Sequence, residues 1–240
     1  MAHFSCGVAS AVATKLALEK FPDLRIYYCE THSEHPDNKR FLNDCQRWFG
    51  SPVQSVESKV YEDTWDVFKR TRFLSSPKGA RCTSELKRIP AQEFWSIGTI
   101  EVFGYTADEQ ARVDRFRLQN EERIIVCPLI DNGLTKADCF SVIKDAGIEI
   151  PMMYKLGFRN NNCIACVKAR DNISYWKRIR KYFPKEFKRM AAMERELEFP
   201  LNRVTKNKKR ETIFLDEIPE GDPAGTDKSV SCGIVCGSNT

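Results

Sequence analysis

Apolar runs of strand length alternate with helical periodicity over residues 8–146, and this alternation restricts the fold more than any single motif. Residues 24–29 (LRIYYC), 52–56, 99–105 (TIEVFGY) and 123–129 (RIIVCPL) read as buried strands rich in Ile, Val and Tyr. Residues 8–18, 37–48, 83–95, 108–118 and 136–146 fit helices between them. A very short strand precedes the first helix. Strands separated by helices imply a parallel sheet, because each parallel pair needs a crossover that a helix supplies. The expected class is α/β, with helices on both faces of the sheet. Ligands in such sheets bind beyond the carboxyl ends of the strands, so the strand-to-helix loops should carry the chemistry.

After residue 157 the pattern changes to a cysteine loop, two basic helices over 174–182 and 184–197, and a hairpin over 203–215. A turn-rich stretch follows at 219–227. The chain is therefore expected to divide into an α/β domain over 1–157 and a helical, cysteine-containing extension over 158–240 packed on it. No internal repeat is visible.

A chain of 240 residues with 42% hydrophobic content is long enough for one sizeable core, which excludes disordered and fibrous classes. No apolar run approaches the roughly 20 residues that cross a bilayer, and residues 1–10 lack the charged and apolar regions of a signal peptide. A cytoplasmic protein with no membrane association is expected. The net charge of +5 is unevenly placed: residues 167–210 hold 15 Lys or Arg against 5 Asp or Glu, whereas residues 211–240 hold 6 acidic residues and one Lys. The basic segment 167–210 suits a polyanion such as nucleic acid, or the phosphates of a nucleotide; solvated helix faces are the alternative.

Six of the ten cysteines have a notable spacing: Cys6 in the first loop, Cys82, Cys163 and Cys166 as C-x-x-C, and Cys232 and Cys236 as C-x-x-x-C. In a reducing compartment, paired cysteines read as metal ligands or redox thiols rather than as a disulfide framework. A C-x-x-C closes around one metal or cluster only with further ligands, and Cys82 and the C-terminal pair can supply them. Cys29, Cys45, Cys127 and Cys139 read as buried small apolar residues.

The first loop, Ser5-Cys6-Gly7-Val8-Ala9-Ser10, opens a helix with small residues that let backbone amides approach an anion. A phosphate or sulfate site is the functional reading, and ordinary helix capping the structural one. The second loop runs Glu30-Thr31-His32-Ser33-Glu34-His35-Pro36-Asp37. Its two histidines lie beside carboxylates, but polar capping at a helix entry explains them without a metal.

In order along the chain, these loops are followed by Arg81-Cys82-Thr83, by Gly104-Tyr105-Thr106-Ala107-Asp108-Glu109 with Arg112 one turn on, by Pro128-Leu129-Ile130-Asp131, and by Tyr154-x-x-Gly157-Phe158 leading to Cys163-Ile164-Ala165-Cys166. Together they resemble the adenine-nucleotide alpha-hydrolase (PP-loop) superfamily. Within it they are similar to the phosphoadenosine phosphosulfate (PAPS) and adenosine phosphosulfate (APS) reductase family, especially its reductase-like members in phages and modification systems. The resemblance covers about residues 4–200 and implies a Rossmann-like sheet. It implies that Ser5, Cys6, Gly7 and Ser10 form the phosphate loop, that Thr31, Glu34 and Pro36 help form the nucleotide pocket, and that Gly104 and Arg112 contact the nucleotide.

In the iron–sulfur branch of that family, cysteines about eighty residues before a C-x-x-C join it to hold a [4Fe–4S] cluster, and Cys82 lies 81 residues before Cys163. That branch has two adjacent cysteines where this chain has Arg81-Cys82, so the metal set becomes Cys82, Cys163 and Cys166 with a ligand such as Cys236. Ser231-Cys232-Gly233-Ile234 is similar to the E-C-G-L-H tail that carries the family's nucleophile. The resemblance thus implies Cys232 as the thiolate that attacks the sulfonucleotide, with thioredoxin or Cys236 as the second thiol. Ser, Val and a second cysteine depart from the tail pattern, which leaves Cys232 and Cys236 open as metal ligands. Ala9 stands where ATP-cleaving members of the superfamily carry a Mg²⁺-holding acid, so Mg²⁺ is implied only if ATP is used and another carboxylate, from Glu30, Glu34 or Asp37, replaces it.

The first reading is sulfonucleotide reduction or sulfur transfer on bound PAPS or APS. The rivals are an ATP-dependent sulfurtransferase acting on nucleic acid or a small acceptor, and a zinc-stabilised nucleotide- or nucleic-acid-binding protein.

Overall fold

The computed structural model describes residues 1–77, 79–206 and 208–223. The chain gathers into two compact units and passes between them repeatedly: Met1–Glu30, Pro36–Lys59 and Leu86–Met152 form the first, and Thr31–His35, Val60–Glu85 and the described residues from Met153 onward form the second. This differs from the expected single division at residue 157. The segment Thr31–His35 follows a sheet strand in sequence, yet it is fastened to the cysteine loop by the Ile164 amide, which donates to the Ser33 carbonyl at 2.8 Å.

The first unit holds a five-stranded sheet in the order β3-β2-β1-β4-β5, from β1 (Ala2–His3), β2 (Ile26–Cys29), β3 (Val53–Val56), β4 (Ile100–Val102) and β5 (Ile124–Val126). Every pairing is parallel, with Ala2 opposite Ile26 on one side and Val102 on the other. Helices Val8–Lys20, Asn38–Phe49 and Gln110–Leu118 make the β1–β2, β2–β3 and β4–β5 crossovers, and helix Lys136–Asp145 follows the last strand. The α/β, Rossmann-like class is as expected. All four residues of β2 are buried, as befits an interior parallel strand covered on both faces. Strand order reverses between β1 and β4, and this is where a ligand crevice forms in such sheets.

A buried polar row crosses the sheet. His3 lies 2.8 Å from Glu101, the Tyr27 hydroxyl bonds to the His3 ring, and Arg123 is 3.2 Å from Glu101. Burial pushes the His3 pKa below its ordinary value and that of Tyr27 above it.

Three expectations need correction. The helix expected over 83–95 is broken into Arg81–Thr83, a π-helical stretch Ser84–Arg88 and Ile89–Gln92. Pro90 is the physical cause: it has no amide hydrogen, and its ring crowds the carbonyl of residue 86 in a regular helix, which the wider π turn relieves. The strand expected over 123–129 stops at Val126, because Pro128 begins the short helix Pro128–Asp131. Helix Thr64–Thr71 was not expected, although the Asp63 carboxylate caps it by accepting from the Asp66 amide at 2.7 Å.

The second unit is built from Thr64–Thr71, Ile173–Tyr182, Pro184–Glu196, an antiparallel hairpin of β6 (Asn202–Lys206) and β7 (Lys209–Ile213), and a 3-10 turn Leu215–Glu217. Its core surrounds Trp176, which is fully buried and donates from Nε1 to the Ala169 carbonyl at 3.0 Å. Glu194 is fully buried as well, and its carboxylate accepts from the Leu201 and Leu215 amides, each at 2.6 Å.

Candidate nucleotide site and cysteine loop

In the first unit, β1 delivers the chain into a loop that closes on itself before helix Val8–Lys20. The Ser10 hydroxyl donates to the Gly7 carbonyl at 2.9 Å and accepts from the Ser5 amide and hydroxyl, each at 3.1 Å. Cys6, fully buried, takes the left-handed conformation with φ of 55°. Gly7 is extended at φ −101°, so the unusual backbone lies one residue earlier than the glycine suggests. A left-handed non-glycine residue costs about 1–3 kcal/mol, and such strain concentrates at ligand-binding turns. The first-turn amides of the helix have no carbonyl four residues back, Gly7 supplies no capping side chain, and the first turn holds no acidic residue. This end of the helix suits an anion.

The loop after β4 meets that helix at van der Waals limits. A Cβ on Gly104 would lie 2.6 Å from Ser10 Cα, 2.7 Å from Ser10 N and 2.9 Å from the Ala9 carbonyl carbon. Only glycine permits this approach, which brings the loops after β1 and β4 together at the strand-order reversal. Sequence reasoning singled out Ser5, Cys6, Gly7, Ser10 and Gly104, and the fold brings them together. The backbone contact itself had no signal beyond a glycine after a strand. Arg112 lies on helix Gln110–Leu118, paired with Glu109 at 2.7 Å and with its guanidinium 4.8 Å from the Tyr105 ring centre.

In the second unit, the Thr31 hydroxyl is 3.2 Å from the Cys163 sulfur, and the Cys163 thiol lies 4.0 Å from Glu34 Oε1. Thr31, Cys163 and Cys166 are buried, whereas Cys82 is half-buried against the same core. Ala165, between the two cysteines, is left-handed at φ 57°, and the Cys166 amide donates to the Tyr175 hydroxyl at 2.8 Å. The T-x-x-E segment expected to serve the nucleotide is thus also bonded to the cysteine loop, a link the sequence did not reveal.

The model of the phosphoadenosine phosphosulfate reductase domain family matches residues 1–169. The chain belongs to this family. Among solved structures, a phosphoadenylyl-sulfate (PAPS) reductase from Candida auris, in a phosphate complex, is similar over 68% of this chain and 79% of that one, with a TM-score of 0.50 and 12% identity. At that identity the likeness concerns the fold. None of the curated proteins compared matches the chain.

Membership of the PAPS reductase domain family raises the question of a metal centre. Among the described residues, no group of three or more His, Cys, Asp or Glu side chains is arranged to hold a metal ion. The described residues therefore do not by themselves complete a centre on Cys82, Cys163 and Cys166, and Cys232 and Cys236 lie outside them. Asp37, a candidate Mg²⁺ carboxylate, is committed elsewhere: it takes Arg40 at 2.7 and 2.9 Å and the Met152 amide at 2.8 Å. His35 packs edge-on against Phe183 with ring centres 5.8 Å apart. No helix among the described residues is long and apolar enough to cross a membrane.

The basic segment is partly consumed within its own unit. Arg180 donates to the carbonyls of Leu215, Ile218 and Pro219, Lys181 pairs with Asp222 at 2.8 Å, and Lys177 reaches the Glu220 carbonyl. Arg195 holds Asp216 and Glu217, and Arg203 holds Asp171. Asp216, Glu217 and Asp222 of the acidic segment are thus paired with cations of the basic one.

Proposed function

We propose that the chain binds a sulfonucleotide, PAPS or APS, and reduces it with cysteine thiols. The observation that carries this reading is the close junction of the Ser5–Ser10 loop with Gly104 at the strand-order reversal in a PAPS reductase family member. The amides of Val8, Ala9 and Ser10 would receive the phosphate or sulfate, and Arg112, held by Glu109, would set the charge beside it. The Cys232 thiolate attacks the sulfur of the sulfonucleotide. A sulfur–sulfur bond forms, the sulfur–oxygen bond to the phosphate breaks, and the adenosine phosphate leaves with that electron pair. A second thiol, from a thioredoxin-type dithiol or Cys236, then attacks Cys232, giving a disulfide and releasing sulfite; the two thiols supply the two electrons.

Reduced protein incubated with PAPS or APS should gain one sulfonate on Cys232, seen as a mass shift, and release the adenosine phosphate. Cys232→Ser should bind nucleotide and show neither. Formation of AMP and pyrophosphate from ATP without sulfonation would instead establish the sulfurtransferase reading. A [4Fe–4S] cluster or zinc on Cys82, Cys163 and Cys166 would need a ligand beyond the described residues, with Cys236 the candidate. Iron, sulfide and zinc analysis after anaerobic purification decides that point.

A further inference from the structure

In the second unit, the C-x-x-C forms a tight turn with both ends fastened. Ile164 and Ala165 are its middle residues, Cys163 opens it and Cys166 closes it; a second turn starts at Cys166, whose carbonyl takes the Ala169 amide at 3.0 Å. The ends of such a four-residue turn lie within about 7 Å, and a disulfide spans Cα separations of about 4.4–6.8 Å. The Ile164 amide donates to the Ser33 carbonyl and the Cys166 amide to the Tyr175 hydroxyl, each at 2.8 Å. Buried Ala165 holds a left-handed φ of 57°, a conformation that costs a non-glycine residue and collects at functional sites. Cys163 also differs from Cys127 and Cys139 in its partners. Burial pushes the thiols of those two up to about 12, which keeps them protonated and inert. Cys163 instead lies 3.2 Å from the Thr31 hydroxyl, and its thiol is placed to donate to Glu34 Oε1 at 4.0 Å.

We propose that Cys163 and Cys166 are a reversible dithiol–disulfide pair that exchanges with small disulfides, with Glu34 as the proton acceptor of Cys163. The Cys163 thiol gives its proton to Glu34, and the thiolate attacks one sulfur of the external disulfide. The external sulfur–sulfur bond breaks, and the departing thiolate takes the proton back from Glu34. Cys166 then attacks the Cys163 sulfur of the mixed disulfide, and its proton leaves with the second external thiol. The pair loses two electrons, and the external disulfide gains them as two thiols. Cys163 and Cys166 are 6% and 7% exposed, which favours a small reagent over a protein partner. No nucleotide takes part, so the inference does not rest on the sulfonucleotide reading; it is the alternative to a metal on these two sulfurs.

The test equilibrates the full chain, purified anaerobically, with reduced and oxidised dithiothreitol at varied ratios, followed by alkylation and peptide mapping by mass spectrometry. A Cys163–Cys166 disulfide should form in a single two-electron transition, its ratio to the dithiol rising about tenfold for each tenfold rise in oxidised over reduced reagent. Cys163→Ser and Cys166→Ser should each abolish the transition, and Cys45→Ser, at a buried thiol outside the pair, should leave it. The wild-type map decides the pairing even where a serine variant does not fold. Glu34→Gln should slow oxidation about tenfold or more at neutral pH and make the rate climb about tenfold per pH unit, as hydroxide replaces the carboxylate. The proposal is overturned if Cys163 and Cys166 are alkylated at every ratio, or if the disulfide joins Cys82 to either of them. It is overturned equally if stoichiometric iron or zinc copurifies and is lost from Cys163→Ser, or if Glu34→Gln oxidises as fast as the wild type.

Discussion

A methyl group on Gly104 would meet backbone atoms of Ala9 and Ser10 at 2.6–2.9 Å, so no side-chain rotation relieves the clash. Gly104→Ala should therefore cost about 1–3 kcal/mol or more, as overpacking does, and push the two loops apart. Denaturant unfolding and calorimetry with adenosine 5′-phosphates should both register the change; an unaltered affinity would remove Gly104 from the site. Glu194 is a second sensitive residue. Burial raises its pKa to about 7, against the opposing pull of the Leu201 and Leu215 amides. A folded-state value above the unfolded one means that this stability is fully present below about pH 4.5 and is lost as pH rises through about 7. At about 1.4 kcal/mol per pH unit the loss is bounded near 3 kcal/mol. Glu194→Gln should be less stable at acid pH and should lack this part of the pH slope; parallel stability–pH curves for the two proteins would refute the assignment.

At the scale of elements, periodicity identified the strands and most helices because their burial patterns are locally encoded: β2 is apolar throughout, and helix Val8–Lys20 buries Val8, Ala11, Val12 and Ala17. The breaks were written in single residues that periodicity averages away. Pro90 divides one expected helix, Pro128 ends a strand early, and Asp63 starts a helix that hydropathy alone does not announce. The site divides in the same way. The loop after β1 is legible as small residues before a helix, but the contact of Gly104 with Ser10 and the bond of Thr31 to Cys163 depend on sequence separations that no local pattern carries. The helix Thr64–Thr71 gives a direct check on its capping argument. Asp63→Ala should cost about 1 kcal/mol, read as a lower denaturant midpoint with unchanged m-value. A neutral result would mean that Trp65 and Phe68, both buried in the core of the second unit, hold the helix without its cap.

For the whole molecule, the way the chain is shared between the two units decides what can be removed. A division at residue 157 would give a fragment containing all five sheet strands and the first loop, and by sequence order it looks self-sufficient. The second unit, however, takes Thr31–His35 and Val60–Glu85 from within that stretch. Trp65, Phe68 and Leu74 are buried in one core with Trp176, Ile179 and Met190, and Ser33 receives the Ile164 amide. Truncation at 157 would strip those three large side chains of their partners, and burying one such side chain is worth about 1.5–3 kcal/mol. Against a typical total stability of about 5–15 kcal/mol, that loss is severe. The fragment 1–157 should therefore be aggregation-prone and should lack a cooperative unfolding transition. A soluble fragment 1–157 that unfolds cooperatively and binds adenosine phosphates would show that the sheet unit folds alone and that the shared segments are accessory to it.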